Sequence, residues 1–104
     1  MAYQFNKHYT REDARALLPH VRLWLKRLVH LRKQTQKSEK QVEELMQPGC
    51  DAGGPVVNEL LRLLADLREV LLEFHQREIQ IKDLERGLLD FPCIMEGKEV
   101  FLCW

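Results

Sequence analysis

The sequence has no long apolar run, no clustered cysteines and no surplus of charge, and each lack closes off a class of function. No stretch approaches the roughly 20 apolar residues that a membrane-spanning helix needs, and Met1 to Thr10 holds no apolar segment of signal-peptide length. Sixteen Lys and Arg balance sixteen Asp and Glu, so the overall charge drives the chain toward neither nucleic acid nor an anionic membrane. Cys50, Cys93 and Cys103 are odd in number and lack CxxC or Cys/His ligand spacing, which fits neither a disulfide framework nor a zinc site. The expectation is a cytoplasmic protein with reduced thiols, in which only Cys93 and Cys103, on neighbouring strands, come near enough to consider a bridge. His8, His20, His30 and His75 are scattered without an i, i+4 pair, so neither a metal nor another cofactor is expected. In 104 residues there is room for one domain with one modest core.

Two apolar ladders are present instead. Ala14, Leu17, Val21, Trp24, Leu28, Leu31, Thr35, Ser38, Val42 and Leu45 step by threes and fours, as do Val57, Leu60, Leu64, Leu67, Leu71, Phe74, Glu78 and Ile81. Sustained 3,4 spacing puts each set on one face of a helix, as in the seam of a coiled coil. The spacing predicts a lead-in over 1–10, a first arm over 11–46, a loop over 47–55 and a second arm over 56–78. That loop permits only an antiparallel return. Thr10 followed by Asp13 resembles a capping box and starts the first arm near Arg11. Pro19 lacks the N–H that would reach the Arg15 carbonyl, so a kink, or a short helix followed by a long one, is expected there.

Charge is distributed unevenly between the arms. Arg11 to Gln47 carries nine basic and five acidic residues, and Pro55 to Trp104 six basic and ten acidic. Folding the hairpin near Asp51 brings Trp24 close to Glu78 and sets Arg32, Lys33 and Lys37 within reach of Glu73, Glu69 and Asp66. Pairs of this kind contribute about 0 to 1 kcal/mol each, so they select register while apolar burial holds the hairpin. The second arm has apolar positions beside its seam at Leu61, Leu63, Val70 and Leu72. A face that wide belongs to a bundle of three or four helices, and self-association, a dimer first, is the simplest way to cover it.

After Glu78 the period changes to 2. Ile79 to Lys82, Leu88 to Met95 and Glu99 to Trp104 read as a three-stranded antiparallel meander over 79–104, with a tight turn at Glu96-Gly97. Pro92 cannot donate to a ladder and must sit at a bulge or an edge. The expected fold is thus mainly α in an α+β class: a long, coiled-coil-like helical hairpin kinked near Pro19 and finished by a small sheet.

The order of features also carries a resemblance. Glu12-Asp13-Ala14-Arg15-Ala16-Leu17-Leu18-Pro19 opens the long helix, Ile81-Lys82-Asp83 follows the hairpin, and Gly87-Leu88-Leu89-Asp90-Phe91-Pro92 precedes Gly97-Lys98-Glu99-Val100-Phe101-Leu102-Cys103-Trp104. Over nearly its whole length the chain resembles the bacterial domain-of-unknown-function family 2203. The resemblance implies no activity. Members of that family usually run on through a polar segment with Gly-Glu, Trp-His and Gly/Arg elements, whereas this sequence stops at Trp104, so any chemistry in such a tail is expected to be missing or replaced.

No catalytic constellation stands out. Lys82, Asp90 and Trp104 are the candidate ligand residues: a Lys with Asp83 or Asp90 on adjacent strands suits an anion or acid-base work, and Trp104 a stacking floor. The plainer alternatives are a cross-strand ion pair, a turn-fixing Asp and a core plug. The basic run Arg15, Arg22, Lys26, Arg27, Arg32, Lys33 and Lys37 has no acidic residue within it, yet partners on the second arm argue against nucleic acid. Cys50 is read as an exposed, unactivated thiol. The favoured function is a self-associating interaction or scaffold module whose interface candidates are Leu61, Leu63, Val70 and Leu72. A ligand or enzyme pocket at the sheet/hairpin junction comes second, and nucleic-acid binding by the first arm third.

Overall fold

A computed structural model describes residues 3–46 and 54–104. Cys50 and the greater part of the inter-arm loop lie outside those residues. Helix α1 (Arg11–Leu45) and helix α2 (Gly54–Gln76) form the hairpin, followed by β1 (Gln80–Asp83), β2 (Leu88–Met95) and β3 (Lys98–Cys103). The strands form one antiparallel sheet in the order β1-β2-β3, giving the expected α+β arrangement. The molecule is elongated, 64 × 29 × 18 Å.

Helix α1 begins where the capping box places it. The Asp13 amide donates to Thr10 Oγ1 and the Thr10 amide to Asp13 Oδ2, each at 3.1 Å. That second bond holds the Asp13 carboxyl below its usual range. The helix then runs unbroken through Pro19, so a split into two helices does not occur. Pro19 is itself exposed, while Leu18 and Val21 on either side are buried.

Helix α2 ends in a Schellman turn. The Ile79 amide donates to the Phe74 carbonyl at 3.1 Å and the Glu78 amide to the His75 carbonyl at 3.1 Å. Glu78 sits in the left-handed region, φ 58, where glycine is the usual choice. Phe74 and Ile79, the two residues this turn brings together, are both buried.

The core joins Ala14, Leu18, Val21, Leu25, Leu28 and Leu31 of α1 to Leu63, Val70 and Phe74 of α2, and to Ile79, Leu89 and Phe91. The first half of α1 therefore packs against both α2 and the sheet, and its second half against α2. Relative to the expected ladder, α1 is rotated slightly: Leu18 and Leu25 are buried where Leu17 and Trp24 were expected, and those two are half-buried. Trp24 meets the Phe74 ring edge-on at 5.8 Å, with the Arg77 guanidinium 4.5 Å from its own ring centroid, one residue from the expected Glu78.

The expected inter-arm ion pairs do not form among the described residues. Arg62 holds both Glu59 (2.6 Å) and Asp66 (3.3 Å), and Arg77, just past the end of α2, holds Glu73 (2.7 Å), each pair three or four residues apart. Partners three or four residues apart need no tertiary positioning, so they win the acidic groups locally.

In the sheet, Met95 pairs with Lys98 across a two-residue turn in which Glu96 (φ 50) and Gly97 (φ 77) are both left-handed, the twist-matched hairpin geometry. Pairing of β1 reaches only Gln80 opposite Asp90. Beyond it Pro92 faces the lead-in segment, where its carbonyl accepts the Tyr9 amide at 2.7 Å. Pro92 thus occupies a stretch of edge within the middle strand, and its missing N–H costs no ladder bond there.

Candidate functional site

Three surfaces remain once the core is accounted for: an apolar strip on α2, a cleft where α1 meets the sheet, and a basic face on α1. The strip comes from the width of α2's apolar surface. Helix α1 takes the row containing Leu63, Val70 and Phe74, and the parallel row a third of a turn away is left outside. Leu61, Leu64, Leu71 and Leu72 are 59%, 42%, 43% and 37% exposed. Of the interface candidates, Leu63 and Val70 are each 2% exposed and belong to the intrachain core, so they are unavailable to a partner. Leu61 and Leu72 stay outside, joined by Leu64 and Leu71, which the spacing had assigned to the seam with α1. Arg68 interrupts the strip, and its aliphatic stem can lie along apolar surface with the charge at the rim. At the C-terminal end the strip passes into a groove of about 530 Å³ lined by Phe5, Leu71, His75 and Ile81 among others.

The cleft, of about 540 Å³, lies between the start of α1 and the inner face of the sheet. Arg11 and Arg15, one turn apart, border it with Met95, Leu102 and Trp104. Trp104 is half-buried with its ring edge-on to Phe91 at 6.3 Å, and its backbone exchanges two hydrogen bonds with Leu89 (2.8 and 2.9 Å). One ligand candidate therefore does line a cavity. The other two are not brought together with it or with each other. Lys82 falls at an irregularity between Ile81 and Asp83, Asp90 stands opposite Gln80 and Cys103, and no ion pair joins Lys82 to Asp90 among the described residues. Asp83 instead fixes its turn, accepting the Arg86 amide at 3.1 Å. Cys93 is buried on the face shared with Leu89 and Phe91, Cys103 is exposed on the other face, and both are free thiols.

A two-carboxylate clamp holds the lead-in segment and has no local signature in the sequence. Glu99 accepts the Gln4 and Phe5 amides (3.1 Å each) and His8 Nε2 lies 2.7 Å from its Oε2. Glu78 Oε2 accepts the Asn6 (2.8 Å) and Lys7 (2.7 Å) amides. The left-handed backbone at Glu78 is what aims its side chain back at this segment, which gives a reason for a non-glycine residue there. Tyr9 completes the attachment, its hydroxyl donating to the Arg77 carbonyl at 2.7 Å. The only available signal was two isolated glutamates, one at a helix end and one in a strand.

His8, and then the backbone amides of Phe5 and Gln4, hold the Glu99 carboxyl below its ordinary value of 4.5. Stability from this clamp is therefore complete above about pH 4.5 and is lost as the pH falls through the lowered value. Urea midpoints of the wild type and Glu99→Gln are expected to differ at neutral pH and to converge as the pH falls below the lowered value of the Glu99 carboxyl. Parallel curves across that range would show that Glu99 does not titrate against the fold.

Among the described residues, no group of three His, Cys, Asp or Glu side chains converges to hold a metal, and no helix is long and apolar enough to cross a membrane. What the geometry defines is an α+β helical hairpin with an uncovered apolar face on α2 and a sheet-capped base. The chain belongs to the uncharacterised conserved protein family DUF2203, whose model matches residues 7–104. No curated protein and no solved structure matches it.

Proposed function

We infer that this protein is a self-associating helical-hairpin module, in which α2 of one chain packs against α2 of a second copy. The observation that carries the reading is the row Leu61, Leu64 and Leu71, apolar at helical spacing and exposed along a helix whose opposite apolar row is already used. A two-fold axis across α2 would cover both copies of the strip with one self-complementary contact. The same pairing would close the groove beside Phe5 and Ile81, extending the contact from the hairpin to the sheet end. Isolated exposed leucines are ordinary on soluble proteins, but several of them aligned along one helix, broken only by Arg68, mark an interaction surface.

Leu64→Glu with Leu71→Glu places two charges per chain in that contact while touching no core residue. Light scattering after size exclusion is expected to report a dimer for the wild type and a monomer of unchanged helix content for the variant. A variant that keeps the wild-type mass would remove α2 as the interface.

The cleft at Trp104 supports a second reading, a small anionic ligand held by Arg11 and Arg15 over an aromatic floor.

A further inference from the structure

We propose that the outer face of α1 binds the phosphate backbone of single-stranded nucleic acid, whose bases enter the grooves beside it. Arg15, Arg22, Lys26, Lys33, Lys37 and Lys40 are all exposed. At 3.6 residues per turn they fall within a sector of about 60°, in a row about 38 Å long. No acidic residue occurs between Arg15 and Ser38, and none of the six is ion-paired with a described residue. Basic helix faces ordinarily carry carboxylates three or four positions away. Here the α2 carboxylates Asp66 and Glu73 are engaged by Arg62 and Arg77. Carboxylates flank the row only at its ends, Glu12 beside Arg15 and Glu39, Glu43 and Glu44 beside Lys40, leaving Arg22, Lys26, Lys33 and Lys37 as a stretch of one sign with no acidic residue three or four positions away. Its self-repulsion disfavours the compact state, and a polyanion lying along it relieves that repulsion.

Grooves with apolar walls run beside this row on its sheet side. Near Lys26 and Lys33, a groove of about 380 Å³ lies against Val29 and Leu84, with Glu85 and Arg86 also in its lining. Near Arg15 lies the cleft with the half-buried Trp104 indole. A duplex carries its phosphates on ridges that spiral away from a straight row, and its bases are stacked where these grooves do not reach. A single strand can follow the row and turn its bases into the walls, combining a charged track with an aromatic surface. Leu28, Leu31 and Thr35 lie on the other side of α1, so this surface is separate from the α2 strip and does not depend on self-association.

Fluorescence anisotropy of a labelled 20-nucleotide oligo-dT, titrated with the full chain from 50 to 200 mM salt, tests the assignment. Saturable binding is expected, with a log-log salt slope of about −3 to −4, since each single-strand phosphate contact adds about −0.7. Arg15→Gln/Lys26→Gln/Lys33→Gln should weaken binding at least about tenfold and flatten the slope by about 2. Lys82→Gln/Lys98→Gln, which removes two exposed charges off the row, should bind like the wild type. Three results would overturn the proposal: no saturable binding of oligo-dT, equal loss in the two variants, or tighter binding of a 20-base-pair duplex than of the single strand.

Discussion

Phe91→Ala is expected to remove about 3–5 kcal/mol of stability, a large part of the roughly 5–15 kcal/mol typical of a domain. Phe91 is fully buried in the middle strand and is the largest such side chain in the described chain. Its ring meets Tyr9 edge-on at 5.3 Å and Trp104 at 6.3 Å. Through Tyr9 it is linked to the lead-in segment, and through the core it touches the α1 side of the fold, so truncation loosens three attachments at once. Neighbouring elements cannot collapse into the space without shifting the sheet on α1, which places the cost toward the upper end of the range. At about 4–8 °C per kcal/mol, the melting temperature should fall by roughly 15–40 °C. Phe91→Leu, which keeps most of the volume, should lose far less. Both are to be measured by thermal unfolding at one fixed protein concentration, because self-association would otherwise shift the midpoint. A loss below about 1 kcal/mol for Phe91→Ala would mean that the sheet is not docked on α1 as described.

The second large effect has the opposite sign. Thr35 and Ser38 are buried in the α1 row facing α2, and neither hydroxyl has a hydrogen-bond partner among the described residues. A buried hydroxyl without a partner costs about 1–3 kcal/mol, whereas an apolar group of the same shape does not. Thr35→Val keeps the β-branched outline and Ser38→Ala improves helix propensity, so the double variant should gain about 2–3 kcal/mol. The urea midpoint should rise with the slope unchanged, which would assign the change to stability rather than to altered compactness. If the double variant is instead less stable, both hydroxyls are bonded in solution, with the carbonyls of Leu31 and Gln34 one turn back as the nearest acceptors.

Features decided by neighbours in sequence were legible. Thr10 and Asp13 marked the helix start because a capping box is complete within four residues. Glu96-Gly97 marked the hairpin because two left-handed residues close it without help from the rest of the chain. The strands followed from alternation and the turns between them. Features decided in three dimensions were not. On α2 the rows through Leu64 and Leu71 and through Leu63 and Val70 have the same 3,4 spacing, and periodicity alone does not say which one faces α1. Arg62 and Arg77 hold Asp66 and Glu73, two of the three carboxylates assigned to the first arm, because a partner one turn away outcompetes one on another helix. The Glu78 and Glu99 clamp joins residues more than 70 positions apart, beyond any local pattern. Lys82 and Asp90 lie on paired strands, but Asp90 stands opposite Gln80 while Lys82 falls at a register irregularity without a cross-strand partner. Alternation put Trp104, Leu102 and Val100 on one face, but both faces of that strand are apolar, and only the tertiary fold turns Leu102 and Trp104 toward the core.

The uncovered face of α2 is the centre of this account, and native mass spectrometry of the purified chain at micromolar concentration tests it most directly. The wild type is expected to be a dimer, which becomes a monomer when Leu64 and Leu71 are both replaced by glutamate. A wild-type spectrum that contains only monomer at every concentration would contradict it.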